Sequence, residues 1–278
     1  MRPLQYTRVI FKSIKRLLAV FTSFLLITAC AQVPITQRQS LQLLPESQLA
    51  TLSLQEYDKV LKKSSLSTNR QQVQMVRRVG FKIAKAAEAF LAEAGMQSQI
   101  RNLNWEFNLI EDDKAANAWV MPGGKAAVYT GILPYTRNET GLAVVLGHEV
   151  AHAIAGHGNE RMSQGLLAQM GGAALSAALS QNSPATRNLF MQAYGAGATV
   201  GLLLPYSRLH ESEADRIGLT LMARAGYDPR EAVPFWQRMN QKAERRPPEF
   251  LSTHPAPASR ITNIKRYIPE ALVYYKKA

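Results

Sequence analysis

Apolar residues recur at three- and four-residue intervals from Val73 through Val76, Val79, Ile83 and Ala87 to Phe90. That is the period of a helix with one buried face. It predicts a long helix capped by Ser67 or Thr68, running to about Ala94 and stopped by Gly95. Trp105 to Ile110 alternates like a strand, and Ala118 to Ile132 reads as a hairpin turned at Pro122-Gly123-Gly124. Thr136 and Glu139 are spaced as a capping box for another helix, reaching to about Gly156. Gly165 to Leu204 is rich in small residues and broken by Gly171-Gly172, Asn182, Pro184, Arg187 and Gly195. No stretch in it reaches about 18 uninterrupted apolar residues, so packed helices are expected, partly as a lid over a cleft; peripheral membrane contact is the alternative. A helix near Pro229–Ala243 follows, and Arg245-Arg246-Pro247-Pro248 leads into a loop carrying His254.

One segment of this pattern carries chemistry. His148-Glu149-Val150-Ala151-His152 lies inside the apolar helix. Four helical residues turn through about 400° and rise about 6 Å, so both histidines project from one face and can grip a single Zn²⁺. Glu149 can reach a water on that metal as a general base. Catalytic zinc takes three protein ligands and leaves a place for water. Downstream, Glu211 and Asp215 stand four apart and would share a helix face. One carboxylate can bind the metal while the other receives the free N–H of a ligand histidine.

With these residues in place, the chain resembles the HExxH zinc metallopeptidases typified by the CAAX prenyl protease and the HtpX heat-shock protease, in their soluble bacterial lipoprotein branch (BepA- and LoiP-like). The likeness covers about residues 69 to 265. It includes Asn117-Ala118-Trp119-Val120-Met121-Pro122-Gly123-Gly124, Val128 to Leu133, Glu211 to Asp215, and Ser252-Thr253-His254-Pro255 with Arg260. It implies an α+β fold: a mainly helical, zincin-like domain with a small sheet and an edge-strand hairpin beside the active-site helix. It implies one Zn²⁺ per chain held by His148, His152 and Glu211, with Glu149 as catalytic acid/base and Asp215 supporting a ligand. Glu213 is the rival third ligand, but counting back from Ala214 in the family pattern selects Glu211.

The same resemblance places His254 and Arg260 at the active-site rim as catalytic candidates. Either could hydrogen-bond the oxyanion, and His254 could instead cap the metal's open position. For Arg260 the plainer reading is a surface salt bridge. Asn117 and Trp119 would lie near a substrate held along the strand edge; for Trp119, core packing is an equal reading. His157 falls about 100° off the ligand face and is expected to be structural or exposed, and His210 to turn away from the site.

The N-terminus adds a setting. Arg2, Arg8, Lys12, Lys15 and Arg16 precede an apolar stretch, Leu17 to Ala29, too short to span a bilayer. Leu26-Ile27-Thr28-Ala29-Cys30 is similar to a bacterial lipobox. Residues 1–29 are therefore expected to be a lipoprotein signal, 30–67 a tether lipidated at Cys30 with a short helix around Leu54–Lys63, and 68–278 the peptidase domain. That places the enzyme at a bacterial outer membrane, facing the periplasm. Cys30 is the single cysteine, which disfavours a closed cysteine-rich structural zinc site. Loss of the five basic leader residues would take the formal charge from +13 to +8. No basic-aromatic motif accompanies it, so nucleic acid is excluded as a partner. The expected substrates are unfolded or misassembled envelope proteins, reached directly or through an adaptor or chaperone; a chaperone-like binder with a closed zinc site is the alternative. No internal repeat is visible.

Overall fold

The computed structural model of the chain describes residues 30–166, 184, 186, 207–243, 248–254 and 259–276. Strands β1 (Cys30–Gln32) and β2 (Gln39–Leu41) form an antiparallel ribbon. Helices α1 (Glu46–Lys63), α2 (Arg70–Glu93) and the short α3 (Gln97–Ile100) lead into strand β3 (Glu106–Ile110). Strands β4 (Ala118–Met121) and β5 (Lys125–Tyr129) form the hairpin, turned by a 3-10 helix over Pro122–Gly124. The sheet order is β3-β5-β4, with β3 parallel to β5 and β4 antiparallel to it, so β4 is an edge. Helices α4 (Leu133–Thr136), α5 (Glu139–Ile154) and α6 (157–166) follow. Helices α7 (Arg208–Arg224), α8 (Ala232–Ala243), α9 (Glu249–Thr253) and α10 (Ser259–Leu272) complete the described chain. This is the expected α+β, mainly helical arrangement.

Apart from its His148, Glu149 and His152, α5 is mostly apolar, and it is buried on nearly all sides, as a central helix must be. α2 turns Val76, Val79, Ile83, Ala87 and Leu91 toward it. The caps differ by one or two residues from expectation. Asn69, not Ser67 or Thr68, accepts from Gln72 N–H to start α2, and Asn138, not Thr136, accepts from Gly141 N–H to start α5. Asparagine stands at both places; capping-box spacing alone selects the wrong oxygen.

The sheet divides two cores by its two-residue period. Phe107, Leu109, Ala118, Val120, Ala126 and Val128 face the core shared with α2, α5 and α7. Ile110, Trp119, Met121 and Ala127 face a second core completed by Leu49, Leu52 and Tyr57 of α1. The segment expected as a tether is thus part of the fold. α1 begins at Glu46 rather than near Leu54, because Leu49, Leu52, Glu56 and Tyr57 fall at helical spacing on one buried face. Residues 1–29 and most of 165–204, with the expected lid, lie outside the described residues. No helix among the described residues is long and apolar enough to cross a membrane.

Candidate active site

Two glycines set the site. A Cβ on Gly147 would lie 2.9 Å from Gly218 O, and one on Gly218 would lie 3.0 Å from Gly147 C and O and His148 N. With no side chain at either position, the backbones of α5 and α7 touch. Ser207 caps α7 by accepting from His210 N–H, so Glu211 falls in its first turn and Asp215 one turn on. The helix crossing carries both carboxylates against His148 and His152.

Four buried donor atoms converge there. His148 Nε2 lies 3.1 Å from His152 Nε2 and 3.2 Å from His254 Nδ1. Glu211 Oε1 lies 3.3 Å from His152 Nε2 and 3.0 Å from His254 Nδ1. All four lie within 4.8 Å of one another. A tetrahedron of ligands at about 2.0–2.1 Å from a zinc ion has edges of about 3.3 Å; the four contacts above match that spacing, and two or three imidazoles with a carboxylate match the ion's chemistry. His254 supplies the fourth vertex. It is the C-cap of α9, stacked on Phe250 with ring centroids 4.6 Å apart, and Phe250 N–H donates to Ala116 O just before β4.

The surrounding charges are tightly paired. Asp215 Oδ1 lies 3.0 Å from His148 Nδ1. Arg260, buried against the face of Trp236, donates to both Asp215 oxygens at 2.8 and 2.7 Å, and its Nη1 lies 3.0 Å from Glu211 Oε2. Its guanidinium is therefore committed to carboxylates, a buried use that neither the surface salt bridge nor the oxyanion role anticipates. Burial would raise the Glu211 carboxyl, but His254, Arg260 and His148 outweigh it and hold it well below the usual range. Burial opposes charge on His148, yet Glu211 and Asp215 raise it to about 9, while burial drives His152 well below its ordinary value. Burial raises Glu149, whose Oε1 lies 3.4 Å from His254 Nε2 and makes no hydrogen bond among the described residues.

The surroundings of the other candidate residues bear on readings left open by the sequence. His157 is fully buried, with its Nδ1 2.9 Å from His152 Nδ1, and burial lowers it to about 4. The helical extrapolation fails because α5 ends at Ile154 and Gly156, at φ 67°, turns the chain back. His210 lies outside the four-donor group and is buried; it stacks on His157 at 4.6 Å and sits 3.1 Å from Glu160. Trp119 packs edge-on to Tyr57 at 5.9 Å in the second core, so core packing is the better reading. Asn117 is also buried, its Oδ1 accepting from Ala118 N–H. Glu213 faces His157, Thr36 and Arg38.

The model of peptidase family M48 matches residues 76–268. The mitochondrial metalloendopeptidase OMA1 of Schizosaccharomyces pombe is 37% identical over 193 residues, 69% of this chain and 53% of the relative. Human mitochondrial metalloendopeptidase OMA1 is 31% identical over 86% of this chain and 46% of its own length. The β-barrel assembly-enhancing protease of Escherichia coli K12 is 31% identical over 58% of this chain and 34% of its own. The chain spans about half the length of the OMA1 relatives from these two organisms. These matches correct the expected location. The mitochondrial relatives align over more of the chain than the bacterial one, so the expectation of a bacterial outer-membrane lipoprotein does not stand.

Proposed function

Because the chain belongs to peptidase family M48, and so to the metal-dependent hydrolases of peptide bonds, we propose that it is a zinc endopeptidase acting on unfolded or misassembled proteins. The convergence of four buried donors within 4.8 Å of one another carries this reading. His148, His152 and Glu211 would hold the ion. When bound, zinc supplies Lewis acidity, polarising the scissile carbonyl and acidifying a water.

The chain's own groups do the rest. Asp215 accepts from His148 Nδ1–H and leaves Nε2 bare toward the donor cluster. Arg260 fixes Asp215 and Glu211 together. Glu149, raised by burial, takes a proton from the attacking water and passes it to the leaving amine. An extended peptide adds alongside β4, an edge strand among the described residues, where main-chain hydrogen bonds hold it whatever its side chains. That requirement restricts substrates to chains already unfolded. His254 stands where water or substrate would enter, so it gates the resting site and must leave before turnover. The likeness to mitochondrial relatives supports a mitochondrial setting.

The gate also favours a second reading, a chaperone-like binder with little turnover. Cleavage of unfolded casein separates the two. An endopeptidase loses cleavage with a zinc chelator and regains it with added zinc; casein binding without cleavage in both wild type and His254→Ala would leave the binder.

A further inference from the structure

We propose that His157 is a positioning residue for the metal site: it accepts a hydrogen bond from His152 Nδ1–H and so keeps His152 Nε2 bare toward the metal, while Glu213 and Arg38 hold His157 itself. This rests on the reading of His152 as a ligand.

The contacts suit one proton assignment once a metal takes His152 Nε2, which leaves the single N–H of that imidazole on Nδ1. Glu213, an acceptor, lies 3.3 Å from His157 Nε2, close by though not in hydrogen-bond geometry, which suits a neutral His157 carrying its single N–H on Nε2. His157 Nδ1 is then bare and can only accept. The atom facing it at 2.9 Å, His152 Nδ1, carries the proton between them. The lone pair of His152 Nε2 then points among the other donors, 3.1 Å from His148 Nε2 and 3.3 Å from Glu211 Oε1. Asp215 does the same for His148 from α7, so each histidine of the motif has its own orienting partner.

The outer end of this relay comes from the segment expected to be a tether. Thr36 Oγ1–H donates to Glu213 Oε1 at 2.6 Å, and Arg38 Nε–H donates to both Glu213 oxygens at 3.0 and 2.9 Å. Arg38 also donates to Glu160 from Nη1 at 2.8 Å and from Nη2 at 2.7 Å. The turn between β1 and β2 takes Ile35 and Gln37 into the left-handed region, at φ 64° and 56°, in presenting Thr36 and Arg38. A β-branched residue keeps that backbone only where its surroundings fix it. The ribbon is thus an integral support of the metal site.

The test is zinc affinity of the full chain by competition with a fluorescent chelator, alongside the Tm of each metal-free protein. His157→Leu removes the acceptor and should weaken zinc about 10–100-fold. His157→Asn puts an amide oxygen near the place of Nδ1 and should recover most of that loss. Arg38→Met, at a side chain 22% exposed, removes the outer clamp without opening the core and should weaken zinc less, in the same direction. A merely structural His157 would lower the metal-free Tm in both substitutions with no recovery of affinity by asparagine. Wild-type affinity in His157→Leu, or no recovery in His157→Asn, overturns the inference. Should His157→Leu not fold, wild-type affinity in Arg38→Met overturns it. If wild type itself binds no zinc, it is the ligand assignment that fails.

Discussion

Substituting Gly218 by alanine would push a methyl group into the place where α5 and α7 touch. The new Cβ would meet Gly147 C, Gly147 O and His148 N at 3.0 Å, and all three are backbone atoms that cannot rotate away. Ordinary contact begins near 3.4 Å. The helices must therefore part by about 0.4 Å there, twice the roughly 0.2 Å within which metal–ligand distances are held. Glu211 lies two turns from Gly218 on the same face of α7, and His148 follows Gly147 directly, so the displacement falls between ligands on different helices. Overpacking costs about 1–3 kcal/mol, and alanine returns about 1 kcal/mol of helix propensity. The metal-free protein should thus lose about 0–2 kcal/mol by the same two effects and stay folded. Zinc affinity should fall about tenfold or more, as for a displaced ligand support. Urea unfolding of the metal-free protein and chelator competition read the two quantities separately. Unchanged zinc affinity in a folded Gly218→Ala protein would refute the idea that the glycine crossing sets the site.

Other outcomes follow from the same geometry. His254→Ala should raise basal casein cleavage at equal zinc content, because the fourth vertex opens; a fall would assign His254 to the oxyanion, and no change would reject both roles. Glu211→Ala should abolish tight zinc retention by elemental analysis, whereas Glu213→Ala should only weaken it; the reverse order would move the third ligand. Burial opposes charge on Glu160, but His210 and Arg38 hold its carboxyl at about 2, below the ordinary 4.5. Its stabilising contribution is complete above 4.5 and is lost as pH falls toward 2, so the acid unfolding midpoint should move to higher pH in Arg38→Met. An unmoved midpoint would show that the pair adds nothing to acid stability.

Much of this can be read from residue order, and the failures share one cause. Period and motif act over one or two turns, so α2, the β4–β5 hairpin, α5 and the Glu211–Asp215 face are legible from the sequence alone. Contacts closed by distant chain are not. Arg38 meets Glu160 and Glu213 across more than a hundred residues, and nothing local in the Gln-rich segment marks it as a clamp. His157 is misplaced by any reading that extends its helix past Gly156. Gly156 is itself a visible stop signal, and with it the five-residue spacing from His152 reads as a fold-back. Trp119 needs the position of α1 to decide between cleft and core. The N-terminal address fails for a chemical reason: a basic leader without acidic residues is common to secretory signals and mitochondrial transit peptides.

The proposed function requires Glu149 to move protons for peptide hydrolysis at a metal held by other residues. It is tested most directly by casein cleavage with Glu149→Gln and wild type at equal, measured zinc content. Both proteins should hold full zinc, and the variant should cleave at least about 10²-fold more slowly, the scale of a lost general base. Wild-type cleavage by zinc-loaded Glu149→Gln would contradict it.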